Sequence, residues 1–199
     1  METVGDTIQF PSEEGRLTKG SFDEPAALLA MGSMRSKTTN MRRETLKTNS
    51  VSSAPVIGEM DVAALATVAV TSEAAGHPVE NAFDGRRGPG GTRWVADTPG
   101  EQTLLLAFDA PQHIEQVALE VEENHDSRTQ ELTLAVSQDG GRTYRELLRQ
   151  EFNFSPPGTT FECETWTTAV GEVTHLRLRI TPDKGSRPCR ASLTALSLR

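Results

Sequence analysis

Apolar and polar residues alternate along most of the chain after residue 63. Three segments carry the pattern most regularly, and their inward positions are Leu104, Leu106 and Phe108, then Val117, Leu119 and Val121, then Leu132, Leu134 and Val136. In the second segment Glu120 and Glu122 occupy the outward positions. A period of two is typical of strands that bury one face. The pattern therefore predicts half-buried strands around a shared apolar core.

About eight such strands are predicted, at 63–72, 103–109, 113–122, 130–137, 143–149, 159–166, 173–181 and 190–198. Asp139-Gly140-Gly141 is a tight turn, so the strands on either side of it form a hairpin. No helical pattern separates the strands. Regularly spaced strands without intervening helices indicate an all-β protein, an antiparallel β-sandwich or jelly roll at residues 63–199.

Residues 1–62 lack sustained periodicity and predict an extended polar N-terminal arm. One short helix is predicted at 23–31, because acidic residues and Pro25 precede a run of good helix formers. A helix this short needs a surface to cover, either the sandwich or another protein. A basic run lies at Arg35–Lys47. Candidate residues for docking a protein partner are Phe22, Leu28, Leu29, Met31, Arg42 and Arg43.

Charge and composition exclude several classes of partner. The formal net charge is -8, and residues 63–199 carry 19 acids against 13 bases. An acidic surface repels phosphate backbones, so nucleic acid is not an expected partner. No apolar run reaches the length of a membrane span, and the first residues lack the features of a secretory signal. We therefore expect a cytoplasmic protein in which Cys163 and Cys189 are reduced thiols.

A short motif precedes the regular strands. Asn81-Ala82-Phe83-Asp84-Gly85 is followed, after a glycine-rich loop, by Thr92-Arg93-Trp94. This run resembles the N-A-x-D-G…T-x-W signature of the discoidin family, also called coagulation factor 5/8 type C domains, and the resemblance extends over about residues 66–199. It implies a galactose-binding-like jelly roll, with Trp94 in the core.

The resemblance also implies a structural calcium beneath the loop, for which Asn81, Asp84 and Thr92 match the family's ligand positions. Two positions depart from the family pattern. Arg86 takes the place of a second acid or small polar residue, and Ala195 stands where a glutamate is usual. A guanidinium opposes calcium binding. The alternative is a metal-free turn in which the Asp84 carboxylate binds backbone amides, and no cofactor is then expected.

Catalytic motifs are missing from the sequence, which has neither a G-x-S-x-G elbow nor an H-E-x-x-H pair, and its four histidines are scattered. We therefore predict that the protein is not an enzyme. The acidic residues Glu120, Glu122, Glu123 and Asp126 suggest a solvated strand edge and turn rather than a cation site. Candidate ligand-binding residues are Arg86, Arg87, His77, Trp166 and Phe154.

The leading hypothesis for function is a non-catalytic binding or structural subunit, tethered to a larger assembly by its arm. The alternative is a carbohydrate-binding module that recognises glycans through its loops. A third possibility is an accessory domain of a separate enzyme. Few aromatic residues, 5% of the chain, count against sugar binding.

Overall fold

Nine β-strands make up most of the described part of the chain, which in this computed structural model comprises residues 37–39 and 58–199. A one-turn helix, α1, spans Val62–Leu65, and a 3-10 turn spans Val79–Ala82. The strands are β1 Lys37–Thr39, β2 Ala66–Val70, β3 Trp94–Pro99, β4 Gln102–Glu122, β5 Arg128–Ser137, β6 Arg145–Phe154, β7 Phe161–Thr181, β8 Arg190–Leu193 and β9 Ala195–Leu198.

Two long bent strands connect the layers of the sandwich. β4 and β7 each have 21 residues and pair with each other antiparallel, with register shifts between Ala107 and Gln116 that mark the bend. The first half of β4 and the second half of β7 lie in a layer ordered β2-β4-β7-β5-β6. Their other halves form a second layer with β9, and β3 pairs separately with β8. This is the predicted antiparallel jelly roll.

The predicted inward residues fill the core. Leu104, Leu106, Val117, Leu119 and Leu132 are all fully buried. Trp94 is also fully buried, and its indole nitrogen donates a hydrogen bond to the Ser72 carbonyl at 3.1 Å. A buried tryptophan needs such a partner for its N–H group. The alternation in the sequence therefore located the core correctly.

Strand boundaries differ from the prediction where the chain bends or changes layer. Residues 63–65 belong to α1 rather than to a strand, because the Asp61 carboxylate accepts a hydrogen bond from the Ala64 N–H at 3.2 Å and caps the helix. The predicted strands at 103–109 and 113–122 are the two halves of β4, and those at 159–166 and 173–181 are the halves of β7. The last predicted strand divides at Thr194, whose hydroxyl accepts a hydrogen bond from the Glu122 N–H.

Little of the N-terminal arm belongs to the described residues. Lys37–Thr39 forms β1, which adds to the edge of β2. Met60 packs against the core and Val62 is part of it, so the core begins slightly before the predicted boundary at residue 63. The predicted helix at 23–31 and all six docking residues lie outside the described residues, and docking of a protein partner stays a prediction. Within the described part of the chain, no helix has the length and apolar character needed to cross a membrane.

Candidate functional site

The glycine-rich loop between Gly85 and Arg93 lies against the outer face of the second layer. The Gly88 N–H donates a hydrogen bond to the Glu120 carboxylate at 2.8 Å, and the Gly90 N–H donates one to the Glu122 carboxylate at 3.0 Å. The Arg93 guanidinium lies 3.0 Å from the Glu122 carboxylate. Two outward carboxylates of β4 thus hold the loop on the sheet.

The prediction of a solvated acidic edge is wrong for three of its four residues. Glu120, Glu122 and Glu123 are only 7%, 6% and 9% exposed, whereas Asp126 is exposed. Buried carboxylates require hydrogen bonds or ionic partners, and loop amides and arginines supply them here. These acids therefore fix loops rather than face solvent.

A groove surrounds Arg87, the residue after the exposed Arg86. The Arg87 guanidinium binds both the Glu59 carboxylate and the Ser197 hydroxyl, and so joins the glycine-rich loop to the start of the described domain and to β9. Two hollows, of about 290 and 110 Å³, are both lined by Arg87, Glu59 and Ser197. We call the two hollows together the Arg87 groove, with a larger and a smaller half.

The lining of the Arg87 groove combines apolar and polar groups. Phe83 and Met60 contribute apolar surface to the larger half, and Ala118 contributes it to the smaller half. Polar groups of the larger half are Asp61 and Asp84, and those of the smaller half are Gln116, Thr165 and Arg199. Such a mixture of apolar surface and directed polar groups is typical of small-molecule sites.

The side chains of the implied calcium site make hydrogen bonds within the loop. The Asp84 carboxylate accepts the Arg86 N–H at 2.9 Å and the Thr92 hydroxyl at 2.6 Å, and the Asn81 amide donates to the Arg93 carbonyl at 3.0 Å. No group of three or more acidic, histidine or cysteine side chains within the described residues could hold a metal ion. Calcium needs several hard oxygen ligands, and the one carboxylate of this set, that of Asp84, is already engaged by the turn. The contacts fit the metal-free turn.

The other candidate ligand residues lie apart from the groove. Arg86 is exposed and does not line it. His77 is exposed, with its Nδ1 atom 3.3 Å from the Arg93 carbonyl. Trp166 packs against the core. Phe154 is 4% exposed, and the hypothesis that it stacks on a ligand is wrong because it belongs to the core.

Sequence reasoning identified Arg87 but missed the residues around it. Phe83 belongs to the recognised motif, yet its place in the groove follows from the loop conformation. Gln116 and Ser197 come from strands whose pairing brings them to the same face. The outward polar positions of β4 and β9 were the available signal, but strand alternation alone does not show which outward positions share a groove.

The two cysteines are free thiols in the structure. Cys163 is exposed as a residue, but its sulfur is partly shielded from solvent. This partial desolvation, together with the nearby Glu120 and Glu164 carboxylates, raises the pKa of the Cys163 thiol. A raised pKa keeps the thiol protonated, whereas a nucleophilic cysteine requires the thiolate. Cys163 therefore lacks the environment of a reactive cysteine.

A second set of buried charges holds the loops that lie between β4 and β5 and between β7 and β8. The Arg128 guanidinium, with its side chain 2% exposed, lies 2.8 Å from the Glu123 carboxylate and donates to the Arg190 carbonyl at 2.7 Å. In the second of these loops, a hydrogen bond from the Arg187 side chain lowers the pKa of Asp183 to about 2. These contacts are structural and lie outside the Arg87 groove.

Solved structures with a similar fold include several carbohydrate-binding modules. A module from a family 31 glycoside hydrolase of Clostridium perfringens has a TM-score of 0.53 at 16% identity, covering 70% of this chain and 93% of its own. A pectin-binding module has a TM-score of 0.51 at 20% identity, covering 68% and 90%. The module of AlyQ in complex with 4,5-unsaturated mannuronic acid has a TM-score of 0.50 at 21% identity, covering 71% and 97%.

Sequence comparisons place the chain in a family. None of the curated proteins matches it significantly. The family model described as F5/8 type C domain, which is the discoidin family, matches residues 67–193. Those residues include the Asn81–Gly85 motif, Trp94 and most of both layers of the sandwich. The chain therefore belongs to the F5/8 type C domain family.

Proposed function

We propose that the protein is a non-catalytic carbohydrate-binding module and that the sugar binds in the Arg87 groove. The observation that carries the proposal is the groove itself, whose larger half of about 290 Å³ is close to the lower end of the roughly 300–1,000 Å³ typical of ligand sites. The neighbours described as carbohydrate-binding modules support the same class of ligand.

A sugar ring has an apolar face of C–H groups and a rim of hydroxyls, and the groove offers a partner for each. Phe83 and Met60 provide apolar surface for the ring. Gln116 and Ser197 can exchange hydrogen bonds with hydroxyls, and Asp84 can accept them. Arg87 lines both halves, so a sugar bound in either half would lie beside this residue.

No catalytic step is part of this proposal. The described residues that line the groove include neither cysteine nor histidine. Its carboxylates are each engaged in structural contacts: Asp84 with the turn, Asp61 with the start of α1, and Glu59 with Arg87. These contacts favour a site that positions a ligand over one that performs acid–base chemistry.

Replacing Arg87 with alanine tests the proposal. We expect Arg87→Ala to lower the affinity for the best-bound oligosaccharide of a glycan array by roughly tenfold or more, because charge-assisted hydrogen bonds contribute about 1.5–3 kcal/mol each. The affinity is measured by isothermal titration calorimetry on the full chain.

The matched control is Arg86→Ala, which removes the same charge from a neighbouring exposed residue that does not line the groove. It should change the affinity less than about threefold. Equal losses in the two variants would contradict the assignment of the groove, and a full-chain protein that bound no sugar on the array would contradict the proposed function.

A further inference from the structure

In the larger half of the Arg87 groove, the described lining residues carry more negative than positive charge. This imbalance affects which sugars can bind there. Among the described residues, the larger half is lined by three carboxylates, those of Glu59, Asp61 and Asp84, and by one guanidinium, that of Arg87. Phe83 and Met60 lie beside them and provide apolar surface. A ligand in this half therefore meets an apolar wall and an excess of negative charge.

Arg87 offsets only part of that excess for a ligand, because one nitrogen of its guanidinium, Nη2, already binds the Glu59 carboxylate and the Ser197 hydroxyl. A sugar carboxylate that bound Arg87 would have to share its guanidinium with Glu59. It would then lie close to three protein carboxylates in the same hollow. Like charges brought together in a groove oppose binding.

We infer that the larger half of the Arg87 groove selects sugars bearing amino groups, accepts neutral sugars less well and rejects uronic acids. The inference rests on the proposed function and narrows its ligand class. A protonated amine on the sugar ring is attracted by the Asp61 and Asp84 carboxylates. The hydroxyls of the same sugar can donate hydrogen bonds to these carboxylates. The acidic charge of residues 63–199, 19 acids against 13 bases, acts in the same direction.

Three trisaccharides that differ in charge test the inference on the full chain by calorimetry at about pH 6, where sugar amines are protonated. The probes are a glucosamine trimer, its N-acetylated form and a galacturonic acid trimer. We expect affinity to fall in that order, with at least roughly tenfold between the first and the last. The preference for glucosamine should shrink as salt is raised, because the carboxylates are near the surface.

Two variants assign the selectivity to the groove. Asp61→Asn removes one charge but keeps a good helix cap, so it should weaken glucosamine binding by roughly threefold without unfolding α1. Glu59→Gln releases Arg87 and should raise galacturonate affinity, because arginine binds carboxylates with paired hydrogen bonds. The control is Asp126→Asn, an exposed residue that does not line the groove.

The outcomes separate this inference from the proposal beneath it. Galacturonate binding as tight as glucosamine binding, or equal effects of Asp61→Asn and Asp126→Asn, would overturn the inference while the carbohydrate-binding proposal stands. Failure of all three trimers and of every other glycan to bind the folded chain would overturn both.

Discussion

Replacing Ser197 with phenylalanine is expected to abolish sugar binding, with a loss in affinity of about 100-fold or more. Ser197 lines both halves of the Arg87 groove. It points outward from β9, since its neighbours Leu196 and Leu198 are in the core. A phenyl ring at this position would fill the hollow on either side of Arg87 and remove the hydroxyl that Arg87 binds. Calorimetric titration with the best-bound oligosaccharide measures the loss.

The matched control is Thr133→Phe. Thr133 lies on β5, in the other layer, where it pairs with Arg149 and Arg179 and does not line the groove. The same added ring should leave sugar affinity unchanged there. Both variants should keep the far-ultraviolet spectrum of the parent, because both substitutions are on outward positions. Undiminished binding by a folded Ser197→Phe variant would show that the sugar is held elsewhere.

Replacing Arg128 with methionine is expected to lower the free energy of unfolding by about 3–5 kcal/mol. The Arg128 side chain is 2% exposed and lies 2.8 Å from the Glu123 carboxylate, whose own side chain is 11% exposed. It also donates to the Arg190 carbonyl and to the Ser192 hydroxyl. Removing the guanidinium leaves the Glu123 carboxylate without its ionic partner, although the His125 and Asp126 N–H groups still bind it, and leaves two further acceptors without a donor. The loss of these buried contacts costs more than the ion pair itself contributes. Urea denaturation followed by circular dichroism gives the change.

Arg149→Met provides the comparison, because Arg149 is also paired with carboxylates, those of Glu131 and Glu146. Its side chain, however, is 51% exposed. Solvent screens such pairs, so we expect little measurable loss of stability. Similar losses from the two substitutions would mean that burial does not determine the importance of these arginines.

Much of the fold could be predicted from the sequence, because the alternation of apolar and polar residues in a sandwich strand shows which face is buried. Leu104, Val117 and Leu132 lie where period two placed them, and Trp94 is in the core as the motif implied. The continuity of β4 could not be predicted, because a proline such as Pro111 is typical of a loop or a strand edge. In the structure the strand continues through Pro111 and bends nearby.

The candidate site was less accessible to sequence reasoning. Glu120 and Glu122 occupy outward positions, as predicted, but the glycine-rich loop covers them, and alternation cannot show which outward surface a loop will cover. The Arg87 groove joins Glu59, Arg87 and Ser197, which are far apart in the chain. Phe154 is an example of a predicted ligand residue that is buried. Two alternating aromatic residues near a loop are compatible with either a place in the core or a ligand-binding surface, and the sequence alone does not distinguish the two.

The most direct test of the proposed site is a nuclear magnetic resonance titration of the isotopically labelled full chain with the best-bound oligosaccharide. The account predicts that the backbone amides with the largest shift changes cluster around the Arg87 groove, at Phe83, Arg87, Gln116 and Ser197. Shift changes concentrated instead around His77, Asp126 and Arg187, with the groove amides unchanged, would contradict it.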